Sequence, residues 1–207
     1  KAQQRVLGWI VTMTDRQTEY TAPATKADGT LEVTFTYLEM HKPADPVPYQ
    51  GPTIDNLTVL RAVEPTISFY RYLYNHVGGP CLWYERRALS DGQLKTILID
   101  PGVHVYVLYA NGVPAGYAEL DTRGKNDIEV AYFGLLPEFI GRKLGPWFLN
   151  WTLQRAWSRN PARLWVNTCT LDHPKALPMY QRFGFHPYDR REIPAPWQVA
   201  DNVLDFA

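Results

Sequence analysis

Apolar and polar residues alternate from Leu31 to Met40, with Leu31, Val33, Phe35 and Tyr37 set against Glu32, Thr34 and Thr36. That two-residue period is the mark of a strand with one buried face. Arg5 to Thr14 is a second strand-like run, separated from the first by a polar loop containing Asp28-Gly29. From Leu57 a short strand to about Ala62 precedes a helical stretch from about Pro65 to His76, where Ile67, Tyr70, Leu73, Tyr74 and Val77 recur at helical steps. Gly78-Gly79-Pro80 ends that helix, and a second helical stretch ends near Leu98. Val103 to Ala110 alternates into Asn111-Gly112 and out again from Val113 to Leu120, which is the signature of a two-residue hairpin. Asp127 to Leu136 reads as the next strand. Arg142 to Ser158 carries Leu144, Trp147, Phe148, Trp151, Ala156 and Trp157 on a broad apolar helical face, broken by Asn160-Pro161. Arg163 to Thr170 is a strand, a short helix runs to about Arg182, and Phe185 opens a last extended run after Gly184. Pro178 has no N–H for an interior bond, so the regular part of that helix starts close to it.

Strands and helices in this mixed order make an α/β protein with no internal repeat. HKPADPVPYQGP, from His41 to Pro52, reads as an extended connector. It divides the chain into a β-rich extension with its Pro-rich connector, residues 1–50, and a main domain, residues 51–207. With 207 residues, 45% hydrophobic and 20% charged, the chain can bury one substantial core. Lysine plus arginine and aspartate plus glutamate both number 21, so no basic excess points to nucleic acid or an anionic membrane, and neither partner is expected. Cys81 and Cys169 are too few for a disulfide framework and lack a zinc spacing; no metal and a reducing cytoplasm are expected. No apolar run approaches the ~20 residues of a membrane helix, and the first residues lack a signal-peptide pattern.

The stretch FIGRKLGPWFL, Phe139 to Leu149, joins a strand to a helix through two glycines and two cations. A strand feeding such a loop and a helix N-terminus aims several backbone amides one way, and the helix dipole reinforces them, so the junction suits a phosphate or pyrophosphate. Pro146 has no N–H, so the donors are the amides from Gly141 to Gly145, and proline is tolerated in the first turn. Neither the dinucleotide fingerprint nor the P-loop spacing is present. Taken together, IEVAYFGLLPEFIGRKLG and TLDHPKALPMYQRFGF resemble the GNAT superfamily of acyl-CoA-dependent N-acetyltransferases, over about Leu57 to Arg191. Ala176, Tyr180, Gly184 and Phe185 match the family's A-x-x-x-Y-x-x-x-G-F. In the family's Q/R-x-x-G-x-G/A loop, Ile140 stands first, Lys143 replaces the first glycine and Gly145 holds the last place, with Lys143 able to supply the missing cation.

The resemblance implies a mixed, mostly antiparallel central sheet flanked by helices, with the strands at 128–136 and 163–170 splayed apart, plus the N-terminal β extension. It implies transfer of an acetyl group from acetyl-CoA to a primary amine, here a small molecule, by direct attack and without a metal. The alternatives are a non-catalytic acyl-CoA-binding or sensing module, and a scaffold dimerised through the extension. An alkylammonium of pKa ~10.4 must lose a proton before it attacks, and Glu129 or a water is the base, with Glu119 a weaker alternative. Tyr180 is the acid for the leaving thiolate, although its spacing to Phe183 also suits packing. The backbone of Phe133, Gly134, Leu135 and Leu136 would bond the pantetheine, and Gly134 would permit a bulge or make room for a neighbouring Trp. Gly141, Arg142, Lys143, Leu144 and Gly145 would hold the pyrophosphate. His173 stands where many members have a pantetheine-bonding asparagine, or else Asp172-His173-Pro174 caps the following helix. Phe69, Tyr70, Tyr72, Tyr74, Trp83 and Tyr84 fall on the acceptor side, as pocket wall or as core. Cys169 has no evident base partner, which favours direct transfer over a Cys-linked intermediate. Paired strands and abundant aromatics make a homodimer the expected assembly.

Overall fold

The computed structural model describes residues 32–45, 48 and 51–194, and the run Arg5 to Thr14 lies outside them. Seven strands and four α-helices follow in the order β1 (Glu32–Met40), β2 (Leu57–Ala62), α1 (Ile67–Gly78), α2 (Asp91–Leu98), β3 (Val103–Ala110), β4 (Val113–Asp121), β5 (Asp127–Leu135), α3 (Leu144–Trp157), β6 (Arg163–Cys169), α4 (Ala176–Arg182) and β7 (His186–Pro194). Local chemistry explains the boundaries. Thr66 caps α1 by accepting from the Phe69 amide at 3.3 Å, and Ser90 with Gln93 forms a reciprocal capping box on α2. Asn111 and Gly112 both take positive φ, 52° and 84°, as a two-residue hairpin turn between β3 and β4 requires.

The strands form one sheet in the order β2-β3-β4-β5-β6-β1-β7. Every pairing is antiparallel except β5 with β6. α3 and α4 cover one face, burying Leu38, Leu120, Val130, Leu149, Leu164, Tyr180 and Phe185 together. α1 and α2 cover the other, where Tyr70, Leu73, Tyr74, Leu94, Val105 and Tyr117 are buried. β1 is an interior strand: it pairs with β6 from Phe35↔Cys169 to Met40↔Leu164 and with β7 along its other edge. The expected division at residue 50 therefore falls between two strands of one sheet.

β5 and β6 are paired only at Asp127↔Arg163, Ile128↔Leu164 and Glu129↔Trp165, and then separate. The cause lies in the ladder on the other side of β5. Its register with β4 shifts between Leu120↔Val130 and Glu119↔Tyr132, so Ala131 is an extra, bulged residue. A bulge bends its strand and increases the local twist, and here β5 turns away from β6 immediately after the last shared pair. The gap between them opens towards the loop that precedes α3.

Candidate active site

That loop begins with a 3-10 turn, Pro137–Phe139, and passes through Gly141 at φ 84° and Lys143 at φ 61° into α3. Lys143 is the N-cap residue and makes no side-chain bond to the helix, and no acidic residue occupies the first turn. The first amides of α3 are thus left for an anion. Left-handed backbone at Lys143 shows why the family's pattern has glycine there; the lysine adopts the glycine's conformation and adds a charge. An added Cβ would meet nothing within 4 Å at Gly141, and at Gly145 only Met179 and Leu135 at ordinary contact distance, so packing does not demand either glycine. Arg142 turns back over the Phe139 ring at 5.1 Å. Its carbonyl accepts from both the amide and the hydroxyl of Thr53 at 3.4 Å, tying the connector to the loop.

Past Glu129, β5 keeps β4 on one edge and has lost β6 on the other, so the stretch containing Phe133, Gly134 and Leu135 presents unpaired backbone to the gap. Leu136 donates its amide to Ala115 at 2.9 Å on the β4 side. Gly134 is not the bulge, which sits at Ala131. A Cβ at Gly134 would overlap Cγ1 of Val77, so the glycine lets α1 pack against β5, with the Trp83 ring a further 3.9 Å neighbour.

Four carboxylates share the α1 face of β4 and β5; one of them, Asp127, is paired with Arg163 at 2.6 Å. Glu119, completely buried, receives the Tyr70 hydroxyl at 2.5 Å on one oxygen and Arg86 at 2.6 Å on the other. Asp121 is held by Arg123, whose Nε lies 3.0 Å from both its oxygens. Glu129, opposite Asp121 in the ladder, makes no hydrogen bond or ion pair among the described residues. Burial, and then the charges of Asp121 and Glu119, push its carboxyl up to about 7, against a smaller opposing pull from Arg86 and Arg123. Glu119, the weaker alternative base, is engaged on both oxygens. Arg86 was not legible in the sequence, because nothing distinguishes it from Arg87. It enters the site because Tyr74 accepts from its backbone amide at 3.2 Å and Arg71 holds the Leu89 carbonyl at 2.9 Å, pinning the segment onto α1.

Tyr180 is buried against Phe185, ring centroids 5.9 Å apart, on the α4 side of the gap. Burial raises its phenol well above the ordinary range, and Asp172 and Cys81 add to the shift. Cys169 lies in the same region, its thiol pushed up to about 12 by burial and by Asp172. A thiol so disposed is not a ready nucleophile. Asp172 does not cap α4: it accepts from Thr168 Oγ1 at 2.8 Å, the Cys169 amide at 3.0 Å and the Trp83 indole at 3.0 Å. His173 takes the turn-forming role, its Nδ1 accepting from the Lys175 amide at 3.1 Å and its carbonyl from Ala176 at 2.8 Å. Because Nδ1 accepts, the neutral ring carries its proton on Nε2, and burial and Lys175 lower its tendency to charge. The ring also borders a cavity of about 670 Å³ shared with Thr34, Thr36, Thr168, Thr170 and Arg190.

Of the expected aromatic wall, Tyr70 and Tyr74 are core, while Tyr72 is exposed. The Tyr117 hydroxyl is buried without a hydrogen-bond partner among the described residues. Among those residues no cluster of three His, Cys, Asp or Glu could hold a metal, and no helix is long and apolar enough to cross a membrane.

Comparison with known proteins agrees with this geometry. A search of curated proteins found no match. Among solved structures, a GCN5-related N-acetyltransferase from Sphaerobacter thermophilus is similar at a TM-score of 0.55 and 17% identity, over 81% of this chain and 54% of that one. A GCN5-related N-acetyltransferase from Kribbella flavida is similar at 0.54 and 18%, over 82% and 61%. An aminoglycoside acetyltransferase from an uncultured soil metagenomic sample is similar at 0.51 and 13%, over 62% and 87%. The chain thus spans less than two thirds of the length of the first two. These likenesses concern the fold, whereas the sequence profile of the acetyltransferase (GNAT) family matches residues 61–185, from the end of β2 to the residue before β7. With that match over more than half of its length, and with the splayed strands and uncapped loop the family's fold requires, the chain belongs to the GNAT acetyltransferase family.

Proposed function

We propose that the protein transfers the acetyl group of acetyl-CoA directly to a primary amine of a small molecule, with Glu129 as base and Tyr180 as acid. The observation that carries the reading is Glu129 itself: of the four carboxylates that β4 and β5 carry on the α1 face it alone lacks a guanidinium, and it is poised near neutrality. A group of pKa near the working pH is the efficient proton acceptor. The amides from Gly141 to Gly145 and the charge of Lys143 would hold the pyrophosphate, and the free edge of β5 at Phe133, Gly134 and Leu135 would bond the pantetheine amides. The Nε2–H of His173 is a donor for the same arm.

The ammonium first gives one proton to water; the neutral nitrogen then attacks the thioester carbonyl and passes its second proton to Glu129 as the C–N bond forms. The C–S bond breaks, the sulfur leaves with the electron pair and takes the proton of Tyr180, and the proton on Glu129 is returned to the Tyr180 phenolate through solvent. A phenol raised by burial is a poor acid towards a thiolate in water, pKa ~8.5. Inside the gap the comparison changes, because the neighbouring Cys169 shows that a thiol placed there is itself raised, to about 12. The leaving thiolate is a stronger base in that setting than in water.

The second reading is an acyl-CoA-binding module without turnover, favoured by the departures at Ile140 and Lys143 from the family's loop. Thiol release from acetyl-CoA across a panel of small amines tests the enzyme reading. Amine-dependent release by the wild type, reduced in Glu129→Gln and in Tyr180→Phe, is the expected result; tight acetyl-CoA binding with no release for any amine would leave the binding module.

A further inference from the structure

The α1 side of the gap is crossed at its open end by the Trp83 indole, beside Leu82, which packs against Val33 and Leu171. Leu82, in left-handed backbone at φ 56°, turns the chain after α1, and the Trp83 amide then bonds the Gly78 carbonyl at 3.0 Å. The indole lies so close over α1 that any Cβ at Gly78 would overlap it. Tyr74 and Tyr132 flank it with ring centroids 5.6 and 5.2 Å away. Its Nε1 reaches across to Asp172 Oδ1 at 3.0 Å, beyond the end of β6, while Asp172 Oδ2 is fixed by Thr168 and Cys169. The indole therefore spans from the Gly134 region of β5 to the β6 half of the sheet, at the end where the two strands stand apart. It is held by packing and by a hydrogen bond, so it is a fixed wall rather than a loose flap. Behind it, at 6.4 Å between centroids, stands Tyr117 with its unpartnered hydroxyl.

The direction of approach follows from the faces of the sheet. The α3 and α4 side is filled by Leu149, Leu153, Tyr180, Phe183 and Phe185. Glu129 points to the α1 side with Glu119 and Asp121. A nucleophile deprotonated by Glu129 enters from that side and must pass the edge of the indole to reach a thioester held between β5 and β6. We infer that Trp83 is a specificity-determining residue that confines the acceptor to small aliphatic primary amines; the inference rests on the acetyltransferase reading above.

The test compares kcat/KM for propylamine and benzylamine, with acetyl-CoA and butyryl-CoA as donors, in the wild type, Trp83→Ala, Trp83→Leu and Trp83→Phe. In Trp83→Ala the benzylamine-to-propylamine ratio should rise at least about tenfold, the scale on which pocket volume discriminates substrates. The donor preference and the KM for acetyl-CoA should not move. Trp83→Phe loses the bond to Asp172 but keeps a ring in place, and should stay near the wild-type ratio. Trp83→Leu should fall between, and carries the test if the alanine variant shows no cooperative melt. An unchanged amine ratio in the alanine and leucine variants, or a shift in donor preference in place of amine preference, overturns the inference while leaving the acetyltransferase reading intact. A wild type that acetylates no amine removes that reading, and this inference with it.

Discussion

Three of the four carboxylates that β4 and β5 carry on the α1 face have a guanidinium each and the fourth has none, and that single asymmetry makes Glu129 chemically different from Glu119, Asp121 and Asp127. Its carboxyl, at about 7, should give kcat/KM a limb that rises with pH through about 7 as the proton leaves. Glu129→Gln should abolish that limb and lower kcat/KM about 10²-fold or more; an unchanged limb would assign it to another group. The same shift has a consequence for folding. A carboxyl raised from 4.5 in the unfolded chain to about 7 in the fold keeps its proton longer when folded, so stability falls as pH rises from 4.5 through 7. Glu129→Gln should match the wild type in a melt at pH 4 and exceed it at pH 8, by about 3 kcal/mol. Tyr180→Phe removes only an oxygen from a packed site, so kcat should drop about 10²-fold with little change in melting temperature or in the KM for acetyl-CoA. Glu129 and Tyr180 stand out in the sequence by their places in the resemblance, and Trp83 as one aromatic of the acceptor side. Arg86 and the bond from Trp83 to Asp172 were not legible, since 89 positions separate the bonded pair and no local pattern links them.

At the level of elements, the two-residue period of Leu31 to Met40 identifies a strand but is silent about its neighbours. Strand partners are chosen by register and topology, which a single run of alternation does not encode. In the fold, β1 supplies the middle of the β6-β1-β7 half and contributes Leu38 and Met40 to the core. A chain beginning at residue 51 would leave two strand edges bare and the α4 side without those side chains. It should aggregate or show no cooperative melt; a soluble 51–207 chain that melts cooperatively would show that β1 is dispensable. The sequence leads one to expect a phosphate site in the loop before α3, yet the irregular spelling of that loop makes sense only with the backbone angles. Lys143 holds a conformation suited to glycine at φ 61°. Lys143→Gly should therefore stabilise the fold by about 0.5–1 kcal/mol. It should also weaken CoA binding measured by calorimetry, most at low salt. Tighter binding in that variant would mean that the lysine charge has no part in holding the pyrophosphate.

For the whole molecule, the decisive feature is that the sheet is two half-sheets hinged at one end. β5 and β6 share three paired residues, and beyond them the halves are joined by the core under α3 and α4 and by the bond from Trp83 to Asp172. A ligand between the strands bonds an edge that otherwise faces solvent and touches both halves at once, so it binds the native state and not the unfolded chain. Linkage then predicts the size of the effect. At a free concentration one hundred times its Kd, acetyl-CoA should stabilise the fold by about 2.7 kcal/mol. For a chain of this length that corresponds to a rise in melting temperature of about 5–10 °C. The nucleotide part alone, offered as 3′-phospho-ADP, should engage the loop but not the gap and give a smaller rise at the same concentration. Equal rises from both ligands would mean that the free edge of β5 takes no part in binding. No rise from either at millimolar concentration would remove the cofactor from the reading altogether.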